Sequence, residues 1–384
     1  MITEHAKLAP SSAPQWGRCS GSVAANLNAP DVVSERMRGG TASHWVGEQA
    51  LTVGGDCYSY IGKTAPNGVV IDEEMAEGAQ AWVDDVQSVT REYCRPGDLR
   101  VEYRVSMPEV HADNWGTLDT ALWVGELNTL FIWDYKFGHR EVNARENLQL
   151  INYAIGMLSE LRTHTNPDTR IVLRVVQPFC YHALESVSEW ALTRAEIAPY
   201  IQTLIDKAYE ALGPAPLMTA GLHCRDCAAI ARCDTAKRMG YSVITYANEP
   251  YTISVMGGAD LAAEYRILAE GLTVVKARLE AVSDEIKNGI LNKQDTSSGL
   301  TIQSKQGRLA WSIPVPQAIA LASQFGADVS KPGVMTPTQA IKAVPKGVRS
   351  VFEGVLKTAT ERPSTGMKLI PAENSRTARA FRSK

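Results

Sequence analysis

Between Gly116 and Tyr153 the pattern of apolar and polar positions passes from two short strand-like runs to a helical period. Thr117 to Val124 reads as a strand, Gly125-Glu126-Leu127-Asn128 supplies turn residues, and Leu130 to Lys136 is an aromatic, apolar run too short for a typical helix. The two strands are expected to form a hairpin. From Glu141 the pattern predicts a helix. Leu148, Ile151, Ala154, Ile155 and Leu158 form its apolar face, and Gln149 and Tyr153, four apart, share another.

The same reading extends outward. Residues 1–15, rich in Ala, Ser and Pro, form a loose lead-in, followed by a short turn or helix from Trp16 to Val23. The later part of Ser34–Leu51 is helical, which puts His44 and Glu48 one turn apart. Residues 54–70 are Gly-rich loop, and residues 72–93 a helix with Met75, Ala79, Trp82, Val83 and Val86 inward. Leu99 to Met107 alternates as a strand, Val101, Tyr103 and Val105 on one face, Glu102 and Arg104 on the other. Arg170 to Tyr181 predicts a further strand and Thr193 to Leu212 a helix.

Beyond Pro250, the positions Leu261, Tyr265, Leu268, Leu272, Val275, Leu279, Val282 and Ile286 step alternately by four and three, a heptad seam. Packing of this helix within its own domain is expected over assembly into a homo-oligomer, because Gly271 weakens it. Leu300 to Ile313 predicts a hairpin turning near Gln306-Gly307, then a short helix and a tail. The expected domains are 1–247, a 248–330 extension of helix and hairpin, and a basic tail, 331–384.

A chain of 384 residues, 45% hydrophobic and 21% charged, has the make-up of an ordinary globular protein with two or three domains. No apolar stretch approaches the length of a membrane span, and the first residues lack a basic start followed by an apolar run, so the cytoplasm is the expected compartment. Seven cysteines, odd in number and unevenly spread, argue against a disulfide scaffold. Net charge is −3, but Lys331–Lys384 holds eleven Lys/Arg against three Asp/Glu, a local +8 that leaves −11 elsewhere. Such a tail suits either phosphate binding by counterion release or a solvated, partly disordered end.

The hairpin would bring Asp119 beside Asp134, and strand alternation puts Lys136 on the same face as Asp134. Two adjacent carboxylates repel unless a divalent cation lies between them, and a lysine alongside can hold a water or stabilise charge on a phosphate. Gly116-x-x-Asp119, Asp134-x-Lys136 and Gln149-x-x-x-Tyr153, in that order and spacing, resemble the RecB-type branch of the PD-(D/E)XK nucleases. Gly40-x-x-x-His44 matches that branch's histidine helix. The resemblance implies an α/β fold: a PD-(D/E)XK core with a central mixed sheet flanked by helices, ahead of a C-terminal helical and hairpin extension. It also implies His44, Asp119, Asp134 and the Tyr135 carbonyl as ligands of Mg²⁺ or Mn²⁺. Glu102 is a candidate third carboxylate, with an exposed strand glutamate paired to Arg104 as the alternative. Lys136 would position or activate the attacking water. Gln149 and Tyr153 would orient a DNA strand, while Arg140 and Arg145, with His139, are near enough in sequence to meet phosphates.

Cys224-x₂-Cys227-x₅-Cys233 has metal-site spacing, three ligands and one short of a closed set, with Cys19 the natural fourth. The resemblance implies a [4Fe-4S] cluster on these four, as in AddB-like and CRISPR-associated nucleases. A Cys₄ zinc site, or Cys₃His zinc using His223, stays open. Cys57, Cys94 and Cys180 lack such spacing and are expected to be free thiols. No Gly-x-x-x-x-Gly-Lys-Ser/Thr loop occurs, so ATP hydrolysis is not expected. Whole-chain similarity to phage- and prophage-encoded RecB-like proteins implies a deoxyribonuclease, an exonuclease by expectation, in recombination or end processing beside a single-strand-binding or annealing partner in a bacterial host. The alternatives are a catalytically silent DNA-binding or assembly protein with a structural zinc site, and a zinc-stabilised hydrolase acting on something other than nucleic acid.

Overall fold

The computed structural model describes residues 6–27, 29, 35–93, 98–180, 186–248, 258–293, 299–306, 309–330, 335–345, 348–361 and 364–371, and divides into two units, Met1–Leu279 and Glu280–Lys384. Cys94, Tyr181, the turn residue Gly307 and the basic residues of 372–384 lie outside the described residues. No helix among the described residues is long and apolar enough to cross a membrane.

In the first unit, α1 (Ala13–Trp16), α2 (Ser22–Asn26), α3 (Glu35–Thr52) and α4 (Glu73–Tyr93) precede a five-stranded mixed sheet of β1 (Leu99–Ser106), β2 (Trp115–Val124), β3 (Thr129–Tyr135), β4 (Arg170–Val176) and β5 (Val187–Thr193). The strands stand in sequence order, all neighbours antiparallel except β3 and β4. The parallel step needs a crossover, supplied by α5 (Leu148–Glu160). The hairpin predicted from the turn residues at 125–128 is present. Thr120 pairs with Trp133, and Asn128 makes the turn at φ 46°, a left-handed conformation that asparagine tolerates.

Two expectations shift here. The helix starts at Leu148, not Glu141, because the Asn147 side chain accepts from the amides of Gln149 (3.0 Å) and Leu150 (3.4 Å) and caps it there. Its surface is also buried from Leu148 through Leu158, so Gln149 and Tyr153 face protein and not open solvent. The strand from Arg170 ends at Val176, where Gln177 turns its amide onto the Gly138 and Arg140 carbonyls. β5 had no sequence forecast. Helix α6 (Arg194–Leu212) starts as predicted, with Thr193 and Glu196 forming a capping box.

Helices α5 and α6 cover one face of the sheet, meeting Leu130, Ile132, Ile171 and Leu173. On the other face, α4 presents Trp82 and Val86 to Trp133, Tyr135 and Val176. Asp85 of α4 accepts from the Trp133 indole at 2.7 Å and pairs with Arg174 at 3.2 Å. Close approach here depends on glycine. A Cβ on Gly47 of α3 would run into the Trp82 ring. Gly47→Ala is therefore expected to cost about 1–3 kcal/mol, read as a lower thermal midpoint. Gly240 lies in α7 (Asp234–Asn248), and nothing comes within 4 Å of a Cβ placed on it. Gly240→Ala should be neutral or stabilising by up to about 1 kcal/mol; equal losses at the two positions would contradict this account of the packing.

Helix α8 (Gly258–Leu291) crosses the division between the units. Within the first unit its heptad seam is not the packed face. Tyr265, Leu268 and Leu279 are 73%, 60% and 68% exposed, while Val274 is buried. The helix is held instead by Glu270, which accepts from the Leu222 amide, and by Arg278, which donates to the Ile230 and Cys233 carbonyls at 2.6 and 3.0 Å.

In the second unit, β6 (Leu300–Gln306) and β7 (Ala310–Trp311) are followed by α9 (Val315–Gln324), α10 (Pro337–Ala343), α11 (Arg349–Ala359), β8 (Thr360–Glu361) and β9 (Ser364–Pro371). β6 pairs with β9 and β7 with β8, both antiparallel. The expected hairpin within Leu300–Ile313 is thereby corrected, since the partner strands come from beyond residue 359. The loose-tail reading is corrected with it for the described residues 335–345 and 348–361. Ala340, Val344, Phe352 and Leu356 are buried in this unit's core, an apolar burial that a solvated tail does not make.

Candidate active site

β2 pairs with β1 from Trp115 to Leu122 but with β3 only from Thr120 onward, so Trp115–Asp119 diverges from β3 and leaves a cleft. The cleft, about 280 Å³, is bordered by Asp119, Asp134, Lys136, Gln149 and Tyr153 and, across from them, by Ala6, Ala9, Pro10 and Ser11. The predicted lead-in is thus a wall. Leu8 is fully buried and donates its amide to the Asp113 carbonyl, and the Trp16 indole holds the Ala9 carbonyl at 3.1 Å. The glycine of Gly116-x-x-Asp119 has a reason: a Cβ there would stand 2.7 Å from Pro10 Cδ.

On the α3 side, the His44 Nδ1 lies 3.7 Å from Glu102 Oε1 and 3.7 Å from Asp119 Oδ1. Ligand atoms of His44, Glu102 and Asp119 all fall within 4.8 Å of one another, a spacing suited to one ion. The imidazole rests against Tyr135 and Trp82, whose rings stack on each other, and the Tyr135 hydroxyl meets Ser43 at 2.8 Å. Glu102 sits at φ 44°, the left-handed region where a glutamate is strained. Its carboxylate is with His44 and Asp119 and not with Arg104. Arg104, the partner in the other reading, lies instead over the Trp115 ring.

Asp134 belongs to the other half of the site. Its Oδ1 accepts from Gln149 Nε2 at 2.9 Å, and its Oδ2 has the Lys136 ammonium at 3.0 Å but, among the described residues, no hydrogen bond of normal geometry. Lys136 also donates to Gln149 Oε1 at 3.3 Å. The predicted ligand set is revised accordingly: the close triad is His44, Glu102 and Asp119, and Asp134 is held beside it by Lys136 and Gln149. The Tyr135 peptide joins the halves, its amide donating to Asp119 Oδ2 at 2.7 Å.

Electrostatics follow from this crowding. Burial pushes the Asp134 carboxyl up to about 6, and burial likewise raises Asp119. Burial opposes charge on His44 and Lys136, yet their neighbouring carboxylates outweigh it and raise both. Glu48, one turn from His44, is raised by burial and by Glu102. An under-bonded buried carboxylate oxygen, mutually repelling acids and mixed N/O donors together fit a divalent cation.

The substrate-facing residues fare unevenly. Gln149 clamps Asp134 and Lys136, and the Tyr153 hydroxyl donates to the Thr117 carbonyl at 2.7 Å, so both shape the cleft they border. Arg140 is not free for phosphate: it makes a bidentate pair with Asp226 at 2.6 and 3.0 Å. Arg145 is exposed in the segment before α5 and does not border the cleft, and His139 meets the Phe179 carbonyl. Arg140 and Arg145 were picked by closeness in sequence, which says nothing of where a loop turns.

The cysteines converge. Cys19, Cys224, Cys227 and Cys233 line one small, mostly apolar hollow, with His223 at its edge. Backbone amides point at two of the sulphurs, Thr219 to Cys19 at 3.3 Å and Gly221 to Cys224 at 3.4 Å. Burial pushes the Cys227 thiol up to about 11. Among the described residues no three of the four sulphurs lie within 4.8 Å of one another, whereas zinc bonds of about 2.3 Å would hold a tetrahedral set about 3.8 Å apart. His223 spends Nε2 on the Thr219 carbonyl. The four cysteines thus share one hollow without forming a close-set group of metal ligands among the described residues.

A family model described as a protein of unknown function (DUF2800) matches residues 5–377, nearly the whole chain, and the chain belongs to that family.

Proposed function

We propose that this member of the DUF2800 family is a divalent-metal-dependent nuclease that hydrolyses phosphodiester bonds in DNA, on a PD-(D/E)XK core of the RecB type. One observation carries the reading. Side chains from α3, β1, β2, the end of β3 and α5 bring three carboxylates, a histidine, a lysine and a glutamine into one cluster, of which Asp119, Asp134, Lys136 and Gln149 border the cleft. Gathering buried like charges costs stability, so their meeting supports a site and not a scaffold.

His44, Glu102 and Asp119 would hold the ion, with Asp134 beside them. Mg²⁺ or Mn²⁺, when bound, supplies Lewis-acid stabilisation of charge on the phosphate. Lys136, fixed by Asp134 and Gln149, offers a positive charge and hydrogen-bond donors to a phosphate oxygen or to the attacking water. Gln149 keeps Asp134 and Lys136 in register, and Tyr153 ties the diverging end of β2 to α5.

The same reading assigns Cys19, Cys224, Cys227 and Cys233 to a [4Fe-4S] cluster with a structural role, in preference to zinc. The lining of one hollow by all four cysteines supports a shared group there. Work in recombination or end processing, as an exonuclease beside a single-strand-binding or annealing protein, follows from the same resemblance.

The test is incubation of the purified chain with end-labelled single- and double-stranded DNA in Mg²⁺, in Mn²⁺ or in chelator. Shortened products with either metal and none in chelator are expected. A folded chain that binds DNA but never shortens it would replace the nuclease by a DNA-binding protein.

A further inference from the structure

A strand of DNA carries a phosphate at every nucleotide, and a site that cuts one must hold its neighbours. Among the described residues bordering the cleft, Lys136 is the sole cation, and it is already bound to Asp134 and Gln149. Arg140 is committed to Asp226, and neither Arg145 nor Arg104 borders the cleft itself, but Arg104 lies on Trp115, which does. The proposed substrate's flanking charge needs another partner.

Arg104 is placed for it. On the arm formed by β1 and the diverging end of β2, Arg104 pairs across the ladder with Thr117, and Ser106 pairs with Trp115. Arg104 follows Glu102 of the metal triad by two residues on β1, at most roughly 7 Å along the strand. Its guanidinium lies 4.0 Å from the ring centre of Trp115, which borders the cleft. Arg104 is exposed, and no ion pair to it is found among the described residues. Stacking on an indole fixes the plane of a guanidinium while leaving its edge donors free, a use that a lysine cannot reproduce.

We propose that Arg104, oriented by Trp115, is a phosphate-binding subsite that grips the nucleic-acid backbone next to the bond being cut. This rests on the nuclease reading above. The site reads charge and spacing, not base identity, so its contribution is uniform across sequences.

The experiment compares wild type, Arg104→Gln, Arg104→Lys and Trp115→Leu, with Lys63→Gln as the control for loss of one positive charge. Lys63 also lies on an aromatic ring, that of Tyr60, but does not border the cleft. Affinity for a labelled single-stranded oligonucleotide is measured in Ca²⁺ over a range of salt, and KM and kcat in Mn²⁺. Arg104→Gln is expected to weaken binding about tenfold at every sequence and to flatten the salt slope by about 0.7. It should raise KM more than it lowers kcat. Arg104→Lys and Trp115→Leu should fall between Arg104→Gln and wild type, and Lys63→Gln should match wild type. If wild type binds and cuts while Arg104→Gln keeps its affinity, salt slope and KM, the subsite is wrong and the nuclease reading stands. If wild type neither binds nor cuts, the nuclease reading itself fails.

Discussion

Asp119→Asn and Asp134→Asn are each expected to fold as the wild type does and to lose metal-dependent DNA cleavage by about a thousandfold. Both substitutions keep the side-chain shape. An amide oxygen at 119 can still accept from the Tyr135 amide, and one at 134 can still accept from Gln149, so the frame around the site is preserved. What each removes is negative charge at a cation site, and that charge is what the proposed chemistry requires. Because the two carboxylates would act on one centre, the double variant should be hardly worse than either single one. Initial rates at saturating Mn²⁺, with thermal midpoints as the check on folding, decide the matter. Full activity in both variants would move the chemistry to another part of the chain.

Cys227→Ser is expected to have the second-largest effect. Purified without oxygen, the wild type should be brown and contain iron; the variant should be colourless and markedly less stable. A cluster joining Cys19 to Cys224 closes a loop of about 200 residues, and the chain-entropy model of such a closure gives an upper figure of about 5 kcal/mol. Cys180, half-exposed and remote in sequence from this set, is the control, and Cys180→Ser should keep both colour and stability. A wild type that carries one zinc and no iron would contradict the cluster assignment. Unchanged stability in Cys227→Ser would contradict the staple.

Local chemistry was legible in the sequence where it depends on neighbours along the chain. A short aromatic, apolar run located β3, turn residues located its hairpin with β2, and the apolar period located α4. The helix predicted from Thr193 is present, and Thr193 and Glu196 close a capping box at its start. The candidate site was legible in its acids because strand pairing converts a short spacing into proximity: Asp119 and Asp134 had to approach if the hairpin formed.

Features set by distant contacts were not legible. β5 is a sheet-edge strand with much of its surface partly exposed, so it lacks the apolar run that flags β4. Nothing in the alternation of Leu300–Gln306 names Ser364–Pro371 as its partner, because a period of two fixes faces but not pairing. The heptad seam of α8 correctly groups residues on one face, yet Val274, Glu270 and Arg278 form the packed one. Gln149 looked like a substrate contact and is a clamp on Asp134 and Lys136. The wall made by Ala6–Ser11 depends on Leu8 and Trp16 burying themselves far from their sequence neighbours, and a composition of Ala, Ser and Pro does not reveal it.

The central claim is that His44, Glu102 and Asp119, from three separate elements, hold one divalent ion. The most direct measurement is a Mn²⁺ binding isotherm, followed by electron paramagnetic resonance of the free ion, for wild type and for His44→Ala, Glu102→Gln and Asp119→Asn. The account predicts Mn²⁺ binding by wild type and a loss of at least about tenfold in affinity in each variant. Binding of equal strength in all four proteins, or none in a folded wild type, would contradict it.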